Sequence, residues 1–227
     1  MKSVFQVFIV ALFLFTLQSQ SQVAAAVTCP PREAGDVNVV WSSDNIKYDF
    51  TRSQFQMDTM ENDTQSPYGG NAEVHVGGLM KGGVSLQSQI QVATLTFPRT
   101  REVCQWIDRI DVKVTISPTI YIARDHRQGS CRHKAILDHE MKHIFADREI
   151  VKYYVPVIRD ALQKATYEIG IVGPKPESQQ KRYQTKINDY IADEIKMVND
   201  RLNVERRKRQ QAIDNIQEYE RVAALCR

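Results

Sequence analysis

Hydrophobic and polar positions divide this chain into a β-patterned first part and a helix-patterned second part. The cleanest strand signal lies at 110–116, where Ile110, Val112, Val114 and Ile116 alternate with Asp111, Lys113 and Thr115. A period of two sends alternate side chains to opposite faces of a sheet. Pro118 is expected to end that strand, with another short strand over 119–123. Further β-like runs cover 37–41, 46–50 and 74–76. Within 84–97, Leu86, Ile90 and Val92 face one way and Ala93, Leu95 and Phe97 the other, which predicts a bulge. Short strands with short connections predict a small antiparallel sheet.

The pattern changes after Gly129. Apolar residues at 137, 141, 144, 151, 155, 158 and 162 fit one stripe of a helix running from Cys131 to about Glu168. Ser130 is placed to cap its start and Gly170 to stop it. Pro156 should kink or split it near Val155. His139 and His143 lie off the stripe, beside Ile136, Asp147, Ile150 and Tyr154, so the helix is expected to be sandwiched, with its stripe on a helix and its histidines toward the sheet or a cleft. Residues 169–176 read as a linker. From Glu177 to Arg227 there is no Gly and no Pro. An unbroken helix of that length would run ~75 Å, so part of it must project, pair with another chain or fold back. Its apolar stripe fades over 203–211, around Arg206-Arg207-Lys208-Arg209, which reads as a solvated helix face. The fold class expected is therefore α+β.

The first 26 residues change the picture of where the chain works. A basic start at Lys2, an apolar run from Val4 to Leu17 and Ala24-Ala25-Ala26 make a secretory signal with a cut after Ala26. No later apolar run approaches membrane-spanning length. The chain of 227 residues has a formal charge of +3, too mild to indicate nucleic acid. Its four cysteines, Cys29, Cys104, Cys131 and Cys226, suit two disulfides in an oxidising compartment, with three pairings possible. Cys104–Cys131 with Cys29–Cys226 is the pairing favoured: the first would pin a strand region to the helix start, the second would tie the ends.

His139-Glu140-Met141-Lys142-His143 carries the chemistry. On a helix, two histidines four apart reach one metal ion, and the glutamate after the first stands beside it as a general base. A catalytic zinc needs a third protein ligand. The extended motif with Gly and a third His is absent, since Ala146 and Glu149 occupy those positions. Asp147 suits a supporting role on His143 better than direct ligation. Glu149, Glu168, His75 and His126 remain as candidates, and the third ligand stays unknown. The strand at 119–123 would be placed to align an extended peptide.

Cys104, Gly129-Ser130-Cys131 and the stretch Leu137 to His143, behind a signal peptide and a small β region, resemble secreted zinc-dependent proteases of bacteria, a family of the zincin type. The resemblance spans about residues 37–165. It implies that His139 and His143 bind Zn2+ and that Glu140 is the general base of a secreted or periplasmic metallopeptidase acting on a peptide or protein substrate. The organisation expected is then a signal peptide over 1–26, a zincin-like α+β domain over 27–168, the linker, and a charged helical extension over 177–227. That extension lies outside the resemblance and offers a surface for self-association. The alternative is a non-catalytic cell-envelope protein whose C-terminal helix binds a partner and whose metal site is structural or vestigial.

Overall fold

The computed structural model describes residues 26–62, 64–69 and 75–226. Most of the signal segment, and Val74 of the run expected as a strand at 74–76, lie outside these; His75 and Val76 are not in a strand. The fold is α+β, and its spine is one long strand. β3 (Gly78–Phe97) and β4 (Glu102–Ile122) form an antiparallel hairpin, and three short strands line the other edge of β4. These are β5 (Ile171–Pro176), antiparallel, then β1 (Asp36–Ser43) and β2 (Lys47–Asp49), both parallel. The sheet is thus mixed, not antiparallel as expected. β1 and β2 arrive from a separate part of the chain rather than by hairpins, which frees their direction. The expected linker supplies β5.

Pro118 does not end the strand. It sits within β4, opposite Gly82, where the other edge of β4 passes from β1 to β2 and carries no strand. A residue without an N–H interrupts least at such a gap. Residues 119–121 therefore lie between two strands and offer no edge to a peptide. The predicted bulge is present: the β3–β4 register shifts between Gln91 and Val92. It lets Ile107 and Ile110 face the same core although their separation is odd. Ile110, Val112, Val114 and Ile116 are all buried, while Asp111, Lys113 and Thr115 on the opposite face are not.

Helix α1 (Gln54–Asp58) is a short capped turn; α2 (Cys131–Ile169) covers the sheet. The Ser130 side chain accepts a hydrogen bond from the His133 N–H, and Gly170, with φ 55°, closes the last turn. α2 runs unbroken through Pro156. The ring points to solvent, and the carbonyl of Lys152 that it cannot serve is also on the exposed side. Val151, Ile158 and Leu162 of α2 join β4 and Ile187, Ile191 and Val198 of α3 (Gln180–Ile213) in the main core.

α3 folds back along α2. Tyr190 meets Glu168, Arg206 meets Asp147 and Gln210 meets His143, an antiparallel sequence of contacts. Half of the seam is apolar and half is polar. Arg206 is buried, unlike the solvated face expected of its basic run, and grips Asp147 in bidentate fashion at 2.7 and 3.1 Å. Its Nη2, one of the two nitrogens on Asp147, also donates to the Gly82 carbonyl at 3.1 Å, tying α3 to β3. The cysteines pair as Cys29–Cys104 and Cys131–Cys226, not as favoured from the sequence. Fold-back is the reason: it returns the end of the chain to the start of α2, while the leader lies along β4. No helix among the described residues is long and apolar enough to cross a membrane.

Arg206→Ala should cost about 3–5 kcal/mol, because it strands a buried carboxylate. Replacing Asp147 and Arg206 together with leucine and methionine should recover most of that loss; urea unfolding of the three variants measures both effects.

Candidate metal centre

The motif residues stand on the third and fourth turns of α2, just past the capped helix start and the Cys131–Cys226 bridge. His139 and His143 are buried on the face that meets the C-terminal helices, not the sheet. α3 stops at Ile213. Asp214 is its C-cap, and Asn215 caps α4 (Ile216–Ala224) by accepting a hydrogen bond from the Glu218 N–H. This break in the helix puts a carboxylate at the histidines. Asp214 Oδ1 lies 3.1 Å from His139 Nε2 and 3.3 Å from His143 Nε2, and the two Nε2 atoms are 3.4 Å apart.

These three atoms form a near-equilateral triangle. Ligand atoms ~2.0–2.1 Å from a tetrahedral ion are separated by roughly 3.3–3.4 Å, so the triangle matches one face of such a site and leaves the fourth position open. The group His139, His143 and Asp214 can therefore hold a metal ion. The surroundings fit as well. His139 Nδ1 faces Glu218 Oε1 at 3.2 Å, and His143 Nδ1 pairs with Gln210 Oε1. Such partners on the far nitrogens turn both Nε2 lone pairs toward the ion. Gln210 is itself held by Asp147 at 2.6 Å, so Asp147 supports His143 through an intermediary. Glu218 is fixed by Lys142 and Arg221, both at 2.7 Å.

Electrostatics tell the same story. Burial opposes protonation of both histidines, yet the hydrogen bonds to Asp214 and the charge of Glu140 outweigh it and hold their pKa values above the ordinary one. Burial would raise the Asp214 carboxyl, but the same two contacts hold it well below the usual range. Arg221, and then Lys142 and His139, hold Glu218 down in spite of burial. A negative pocket with proton-holding imidazoles is one in which a cation can displace protons.

Glu140 lies beside these donors and against β3. A Cβ on Gly78 would lie 2.6 Å from Glu140 Oε1, so the carboxylate fits only because residue 78 has no side chain. Burial pushes its pKa up to about 7, against the pull of the two histidines and a backbone hydrogen bond from Met80. A cavity of about 40 Å³ joins His139, Glu140, His143, Asp214 and Tyr219. That exceeds the ~10–15 Å³ needed by one water. A larger cleft of about 290 Å³ opens from His139 and Glu140 toward solvent. The Tyr219 ring packs edge-on to His139 at 5.6 Å.

The other residues weighed as third ligand lie elsewhere. His75 pairs with Asp58 at 2.7 Å, Glu168 accepts from Tyr190, Glu149 is exposed, and His126 lines the cleft wall. Asp214 went unrecognised because the tail was read as one helix. Asn215 followed by Glu218 was the available sign of a new helix start. Comparison with protein-family models, curated proteins and solved structures finds no match.

The purified protein should carry about one metal ion per chain by elemental analysis. Asp214→Ala and His143→Ala should each abolish this, and Glu218→Gln should weaken affinity by roughly 10–100-fold. Binding near neutral pH should release protons, because the imidazoles hold them more tightly than free histidine does. Apparent affinity should therefore fall as pH falls, and calorimetry in buffers of different ionisation enthalpy reads the released protons.

Proposed function

We propose that the chain is an exported zinc-dependent peptidase. The observation that supports this most is the pairing of a three-donor site, open at one position, with a buried carboxyl at Glu140 that faces the same cavity and a cleft. A closed structural zinc site has four protein ligands; this one has three and a base. Two histidines and a carboxylate also suit ferrous iron, but a poised carboxyl such as Glu140 belongs to proton transfer rather than to redox chemistry.

When bound, zinc supplies Lewis acidity at the open position. The rest falls to the chain. Glu140, near pKa 7, takes a proton from the attacking water and returns it to the leaving amine. Met80 N–H and the bare Gly78 backbone fix where that carboxylate stands. Glu218 and Gln210 hold the imidazoles. The resemblance to secreted zinc proteases, the signal pattern over 1–26 and two disulfides support work outside the cytoplasm, in the periplasm or beyond it.

Glu140→Gln should keep the metal and lose cleavage of a mixed peptide library, read by mass spectrometry. Gly78→Ala should displace the carboxylate and cost on the order of 100-fold in kcat/KM, again with metal retained. A wild-type protein holding one zinc per chain that cleaves nothing in such a library would refute the peptidase reading.

A further inference from the structure

The cleft beside Glu140 has a charge pattern that the hydrolysis itself does not require. Among its described lining residues Glu140 is the single carboxylate, whereas Arg132, His126 and His75 are basic. Ile136, Val76, Val222 and Ala223 supply the apolar part of the lining. His75 is already engaged with Asp58. Arg132 is not engaged in this way: its guanidinium reaches only the backbone carbonyls of Val222 and Ala223, at 3.4 and 3.5 Å. His126 lines the same cleft as Arg132, and burial, then the charge of Arg132, lowers its pKa.

The start of α2 adds to this. Helix N-termini favour acidic residues. Here the first turn runs Cys131-Arg132-His133-Lys134 and contains no acid. Arg132 therefore adds to the positive end of the helix instead of offsetting it. The position is also rigid, since Cys131 is bonded to Cys226.

We infer that this cleft holds a carboxylate of the substrate against Arg132 and His126, with the bond to be cut lying at Glu140. This rests on the peptidase reading. The carboxylate has two possible sources, the C-terminal α-carboxylate of the peptide or an Asp or Glu side chain.

The test uses zinc-loaded protein and matched peptides built on any sequence that it cleaves. One pair differs as free acid against C-terminal amide, the other as Glu against Gln near the cut. Wild type should prefer one carboxylate-bearing member by on the order of tenfold in kcat/KM. The pair that shows the preference identifies the source. Arg132→Gln should bring the ratio close to one, and Arg132→Glu should favour a basic residue, both with metal content unchanged. Equal cleavage of both pairs by wild type overturns the inference, as does a preference that survives Arg132→Glu. If wild type cleaves no peptide, the peptidase reading fails by itself. The inference is then read from calorimetric binding of the same peptides to wild type and to Arg132→Gln: a carboxylate-dependent affinity lost in the variant supports it, and none overturns it.

Discussion

The structure depends on a polar seam between two antiparallel helices. On α2, His139, His143 and Asp147 follow one another every four residues. On the returning arm, Arg206, Gln210, Asp214 and Glu218 do the same. Each member meets its counterpart in reverse order, so the seam is a register of specific pairs rather than a smear of contact. Burying so many polar groups is unfavourable unless each is satisfied. Arg206 neutralises Asp147, Gln210 spans Asp147 and His143, and Asp214 serves both histidines. The apolar part of the seam, through Ile187, Ile191 and Val198, drives the helices together; the polar part fixes how they align.

Alignment matters because the seam ends at the metal centre. His139 and Asp214 are 75 residues apart in sequence. A slip of one helical turn would pair Asp214 with a different residue and dissolve the triangle of donor atoms. The buried Asp147–Arg206 pair thus supports the site from its edge, by excluding other registers. β3 contributes from the opposite side: Gly82 accepts from Arg206, and Gly78 makes room for Glu140. Sheet and helices converge on one short stretch of α2.

Much of this was legible in the residues. Alternation at 110–116, the parity switch before Val92, the Ser130 cap and the motif on a buried helix all follow from periodicity and capping. Three features were not legible, each for a physical reason. Strand direction escaped because a period of two carries no information about the partner, so β1 and β2 gave no sign that they run parallel to β4. Pro118 misled because its cost depends on whether the adjoining edge is paired, which is tertiary information. Asp214, the third candidate donor, was not legible because the apolar stripe on α3 fades at Asn203. It continues at the same spacing in polar residues, and a search for apolar periodicity passes over Arg206, Gln210 and Asp214. A polar stripe is readable only beside its complement, here His139, His143 and Asp147.

The two disulfides divide the molecule in a way that its secondary structure does not. Cys29–Cys104 closes a loop within the strand-bearing part, and Cys131–Cys226 closes one within the helical part; neither bond joins the two. Covalently, the described chain is two rings on a single thread, residues 105–130, whose last stretch past Ala123 is mostly exposed. His139, Glu140, His143 and Asp214 all belong to the second ring, whereas Gly78 and Met80 belong to the first. The site is therefore a joint between two closed loops. The alignment of the three donor atoms is internal to one ring, and the room for the Glu140 carboxylate is set by how the other ring is seated.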